Sequence, residues 1–158
     1  MAKLHAYLNF NGNCKDAFDF YQTVFKTESL GTHYYDDMPS DPSQPALPEE
    51  AKGKIMHTAI YLNQESMLMG SDIIDGLFSN EEDSSNSPAP LTFGNSNYIM
   101  LDAQSPQEAR ELFNGLSNDA KLIEMELEET FFAELFSSFQ DKFGVYWMIH
   151  FEGNKKMG

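Results

Sequence analysis

Basic residues are scarce in this chain: ten Lys and Arg stand against 25 Asp and Glu, for a net charge of −15. Such an excess repels phosphate backbones and anionic lipid, which excludes nucleic acid and membrane surfaces as partners. Cysteine is reduced to Cys14 alone, so no internal disulfide can form. Met1-Ala2-Lys3-Leu4-His5 runs into a strand pattern without a signal-peptide core, and the expected compartment is the cytoplasm. No uninterrupted apolar run approaches the roughly 20 residues that a membrane-spanning helix needs. What is present is 41% hydrophobic and 13% aromatic residues in 158, enough for one packed domain.

The chain states one pattern twice. Tyr7-Leu8-Asn9-Phe10, a turn at Asn11-Gly12-Asn13, and an amphipathic run from Cys14 to Phe25 form the first copy. Tyr98-Ile99-Met100-Leu101, a turn ending at Ser105, and Pro106 to Leu116 form the second. Asp16-Ala17 falls on Glu108-Ala109 at an offset of 92, and Phe20-Tyr21 then falls on Leu112-Phe113 without a gap. A strand and a helix with one apolar face each cannot bury those faces alone, so the copies are expected to be paired modules of one domain spanning 1–158. The modules cover about 1–75 and 94–152, joined by an acidic loop 76–93.

Alternation in Leu4 to Phe10 puts Leu4, Ala6, Leu8 and Phe10 toward the helix and His5, Tyr7 and Asn9 on the opposite face. Asn13, with Asp16 three residues on, reads as a partial capping box; Ser105-Pro106-Gln107-Glu108 reads as a fuller one. Further strands are expected over Glu28 to Tyr35, Lys54 to Leu62, Ser66 to Ser71, Lys121 to Leu127, Thr130 to Phe139 and Val145 to Phe151. Asn63-Gln64-Glu65 and Asp141-Lys142-Phe143-Gly144 are the turns. Each copy is thus a strand, a helix and three strands, an α+β architecture. Asp36 to Gly53 and Asp72 to Asn95 interrupt it; loops this long are lids, partner contacts or disordered insertions. Lys155 to Gly158 reads as a frayed tail.

Several strings carry a resemblance: Tyr7 to Cys14 followed by Ala17-Phe18 and Phe20-Tyr21, Lys54-Ile55-Met56-His57, Leu68-Met69-Gly70-Ser71-Asp72, and Asp141 to Val145 with Trp147-Met148. From about residue 4 to 152 the chain resembles the vicinal oxygen chelate superfamily, the glyoxalase, bleomycin resistance and dioxygenase group, and more narrowly its PhnB-like branch. The resemblance implies duplicated βαβββ modules with curved mixed sheets enclosing a cleft, and a homodimer. Members of that group include metal-dependent lyases, isomerases and dioxygenases, and also proteins that sequester a drug without catalysis, so the fold does not fix the reaction. A methyltransferase is not supported, because no glycine-rich strand-to-helix loop of the nucleotide-binding kind is present.

In the metal-dependent relatives the ligands come from the first and last strands of each module. His5 matches the first such position, and its second-module counterpart is Ser96 or Asn97. Met148 stands where those relatives place a glutamate, and the first module's last strand holds no acid before Asp72. Neither amide, hydroxyl nor thioether suits a divalent ion of that chemistry. No metal is favoured, although a divalent ion held by His5, His57, Asp72 and His150 stays open as an alternative.

Val145, Trp147, Ile149 and Phe151 alternate with Tyr146, Met148 and His150. If the first set packs on the helices, the second joins His5, Tyr7, Tyr98 and Met100 in an aromatic, methionine-rich pocket with few charges, suited to a flat or apolar small molecule. The competing reading of the same residues is a second core or a dimer interface. Cys14, at a helix start, is read as a small turn residue in preference to a reactive thiol.

Overall fold

Both helices begin and end where the apolar periodicity predicts. In the computed structural model, which describes residues 1–74 and 91–155, α1 is Cys14–Phe25 and α2 is Pro106–Leu116. The chain divides into two compact units, Met1–Thr92 and Phe93–Gly158. Among the described residues no helix is long and apolar enough to cross a membrane.

The first unit contains β1 (Ala6–Phe10), β2 (Ser29–Tyr34), β3 (Ile55–Tyr61) and β4 (Met67–Asp72), ordered β1-β4-β3-β2. The second contains β5 (Ile99–Asp102), β6 (Leu122–Glu128), β7 (Leu135–Gln140) and β8 (Tyr146–Phe151), ordered β5-β8-β7-β6. In each sheet the first strand pairs parallel with the last and the other pairs are antiparallel. This is the duplicated βαβββ fold with mixed sheets.

One face of each sheet is sealed by its helix. In the first unit Phe10, Ile60 and Leu68 pack with Ala17, Phe18 and Tyr21, all essentially inaccessible. In the second Phe139, Trp147 and Ile149 pack with Ala109 and Leu116. Period-two geometry then sends the intervening residues to the opposite, open face.

That parity decides between the two strand offsets, 91 and 92, that the sequence left open. Leu8 pairs with Gly70 on the helix side of the first sheet, and Ile99 pairs with Trp147 on the helix side of the second. An even offset of 92 through the strand would exchange the two faces. The odd offset of 91 that joins Leu8 to Ile99 sets His5 on Ser96.

Other expectations change locally. Asn13 occupies the cap of α1 but its side chain makes no cap bond. Asp72 replaces it from β4: its Oδ1 accepts the N–H of Gly12 and of Cys14, each at 2.9 Å, and its Oδ2 accepts that of Ile55 at 2.9 Å. Ser105 does cap α2, accepting Glu108 N–H at 3.1 Å, while Glu108 reaches back to Gln104 N–H at 2.7 Å. Leu4 lies outside β1 and is exposed. β7 begins at Leu135 rather than Thr130, because the Thr130 hydroxyl accepts the N–H of Phe132 and of Ala133 and bends the chain into a turn.

Asp36 to Gly53 folds onto its own unit. Short 3-10 helices at Tyr35–Asp37 and Glu49–Ala51 bring Tyr35 and Ala51 against Ile74, with Met38, Leu47 and Met56 around them. The Tyr35 hydroxyl donates to the Asp72 carbonyl at 2.7 Å. In the second interruption residues 75–90, with most of the acidic loop, lie outside the described residues, as do 156–158 of the expected frayed tail. Lys155, where that tail begins, pairs with Glu129 at 2.7 Å.

Candidate functional site on the open sheet faces

On the open face of the first sheet, Tyr7 from edge strand β1 and His57 from β3 meet over β4. Their rings stack with centroids 5.8 Å apart, and the Tyr7 hydroxyl lies 3.5 Å from His57 Nδ1. Met69 pairs with Tyr7 on one side and Ala59 on the other, so it forms the floor beneath. His33, which the sequence reading passed over, pairs directly with His57 on β2. His5 stands just before β1 with its Nδ1 accepting Met67 N–H at 3.1 Å.

The second sheet carries the larger constellation. Tyr98, one residue before edge strand β5, and Glu124 of the opposite edge strand β6 lie about 14 Å apart at three strand spacings. The Tyr98 hydroxyl nevertheless donates to the Glu124 carboxylate, 2.8 Å from Oε1 and 3.0 Å from Oε2. The two side chains therefore reach over β8 and β7 along the open face. Beneath them Ser138 donates to Glu124 Oε1 at 2.7 Å, and the Tyr146 ring stands edge-on to Tyr98 at 5.3 Å. The bond to the carboxylate raises the Tyr98 phenol above its ordinary pKa, with lost hydration adding to it.

Further along the same face Met100 pairs with Met148 and Asp102 with His150. His150 Nδ1 lies 2.8 Å from Asp102 Oδ1; the carboxylate accepts, so in the neutral ring Nε2 is left as the proton-accepting nitrogen. That Nε2 is shielded from water and has no hydrogen-bond partner among the described residues.

Asp72 behaves differently from the other sequence candidates. It lies on the helix side of its sheet, 2% exposed, with three backbone N–H groups on its two oxygens, so its bonding capacity goes to the fold. Asp141 is the second unit's buried carboxylate, taking the N–H of Phe143 and Val145 and the indole N–H of Trp147. Cys14 is fully buried; burial first, then the Asp72 charge, pushes its thiol pKa well up and leaves it unreactive.

Sequence reasoning grouped His5, Tyr7, Tyr98, Met100, Tyr146, Met148 and His150 in one pocket and named His57 separately; Tyr7 stands with His57 on the first sheet, whereas Tyr98, Met100, Tyr146, Met148 and His150 share the open face of the second. That reasoning missed Glu124, Ser138 and Asp102, and with Glu124 the expectation of a nearly uncharged face. The register of β6 shifts on both sides of Met125, so simple alternation does not place Glu124.

No protein-family profile matches the chain. Protein YjdN of Escherichia coli K12 is 33% identical over 151 residues, 93% of each chain. The crystal structure of protein PA1353 from Pseudomonas aeruginosa superposes with a TM-score of 0.74 at 30% identity, over 96% of this chain and 98% of that one. The PhnB protein of Bacillus cereus shares the fold at a TM-score of 0.68 and 23% identity, over 95% and 99% of the two chains. The chain belongs to the PhnB-like branch of the vicinal oxygen chelate superfamily.

The superfamily fold extends to FosX, a fosfomycin resistance protein of Listeria monocytogenes, in a complex with Mn(II), at a TM-score of 0.56 and 11% identity over 95% and 92% of the chains. In this PhnB-like chain the donors do not fit such an ion. His5 has one ring nitrogen committed to Met67, Ser96 accepts from Asn97 at 3.3 Å, Met148 offers a thioether, and Asp72 is enclosed by amides. Among the described residues no group of three or more His, Cys, Asp or Glu converges.

Proposed function

We propose that this PhnB-like protein binds a small flat or apolar molecule on the open faces of its sheets, and we assign no reaction to it. The observation that carries the reading is the assembly of Tyr98, Met100, Tyr146 and Met148 on one face of the second sheet, opposite a face whose central residues Phe139, Trp147 and Ile149 are buried with α2. Met100 keeps 55% and Tyr7 48% of their surface exposed, and large apolar side chains gathered at a surface mark a binding region. Self-association as a homodimer belongs to the same proposal.

Ligand-induced thermal stabilisation across a panel of metabolites and drugs tests it. A compound at 100 times its dissociation constant adds about 2.7 kcal/mol, which raises the midpoint by roughly 5 °C or more for a chain of this size. A panel without a single stabilising compound would contradict the reading. The alternative, a divalent-metal-dependent lyase, isomerase or dioxygenase, draws on kinship alone, since the donor chemistry above does not support it. Near-stoichiometric metal in untagged protein purified without chelators would reverse that preference.

A further inference from the structure

We propose that Glu124, held over the aromatic face of the second sheet by Tyr98 and Ser138, is the anionic anchor for an organic cation. The inference rests on the small-molecule reading above and names its ligand class. Two hydroxyls orient the carboxylate from two different strands' neighbourhoods, Tyr98 touching both oxygens and Ser138 one. A carboxylate offers about four lone-pair sites, so acceptor capacity remains. Among the described residues no Lys, Arg or His is paired with Glu124. A register irregularity runs through this stretch of β6, and bulges of this kind re-aim a side chain beside a site.

The surroundings select the kind of cation. Tyr98 and Tyr146 present ring edges and faces 5.3 Å apart, and Met148 and Met100 add polarisable surface on the same side of the sheet. Aromatic faces attract cations that shed water easily, such as quaternary or aryl ammonium groups. One carboxylate with two hydroxyls supplies too few oxygens for a calcium ion, which takes six to eight. The net charge of −15 raises the local concentration of any cation near this surface.

Titration of the full chain with phenyltrimethylammonium and with its neutral isostere tert-butylbenzene, below saturation and followed by NMR shifts, tests the assignment. The cation is expected to bind about tenfold tighter than the isostere. Glu124→Gln, which keeps the shape and an acceptor oxygen, is expected to remove most of that difference, and Tyr146→Leu to weaken the cation more than the isostere. Raised salt should weaken cation binding more in the wild type than in Glu124→Gln, which keeps only the field of the remaining acidic surface. Equal binding of the two probes, or an unchanged cation affinity in a folded Glu124→Gln protein, would overturn the inference while leaving the small-molecule reading intact. Binding of neither probe would also overturn it, and the compound panel would then judge the broader reading separately.

Discussion

In the first unit α1 is capped from a distance, by a carboxylate at the end of β4; in the second, α2 is capped by the serine that precedes it. The same module has therefore solved one problem in two ways, with different consequences for its acids. Asp72 is buried and consumed by backbone amides, whereas the open face of the second unit holds Glu124 and Asp102 at the surface. The bulk that fills the helix-side core also changes source. Phe18 of α1 lies over Gly70 in the first unit, while in the second the strand contributes Trp147 at the position matched to Gly70. An acid matched to a family motif by sequence can thus belong entirely to the architecture, and its burial and partners decide which.

Breaking the distant cap should have the largest effect. Asp72→Ala leaves the amides of Gly12, Cys14 and Ile55 without their acceptor, and a loss of about 3 kcal/mol or more is expected in urea denaturation. Ser105→Ala, the matching change in the second unit, should cost only about 1 kcal/mol. Similar losses for the two variants would contradict the contrast.

The exchange of bulk predicts an intermediate effect. A Cβ on Gly70 would sit 2.6 Å from the Phe18 ring and 3.0 Å from the Leu8 carbonyl oxygen. Gly70→Ala should cost about 1–3 kcal/mol, and Phe18→Leu in the same chain should recover part of it, as a double-mutant cycle would read. Additive losses would mean that the ring is not the obstacle.

The smallest effect concerns Cys14. Its thiol is raised in the folded chain above the ordinary value of 9.0, so the unfolded chain releases that proton first as pH rises. The contribution is fully present below pH 9 and is lost progressively above it. Cys14→Ala should flatten the fall in stability between pH 9 and 11, and a thiol reagent at neutral pH should react with the denatured chain only.

Much of this was legible in the sequence, because the apolar periods are long and clean. Cys14 to Phe25 and Pro106 to Leu116 show helical spacing with breakers at both ends, and both helices run to those residues. The alternation in Val145 to Phe151 separated Trp147 and Ile149 from Tyr146, Met148 and His150, and burial divides them the same way. Long-range partners were not legible. Nothing near Asn13 signals that its capping role falls to a residue 59 positions on, and nothing near Tyr98 signals Glu124, because both contacts depend on strand order and local register. Turn chemistry explains the misplaced start of β7, where one threonine hydroxyl competes with the ladder.

The central claim is that ligand binds on the open face of the second sheet. Backbone amide NMR shifts, recorded with the most stabilising compound of the panel, address it directly. The account predicts the largest changes at Tyr98 to Met100, Glu124, Ser138 and Tyr146 to His150. Changes concentrated instead on the helix-packed side, at Ala109, Leu116 and Phe139, would contradict it.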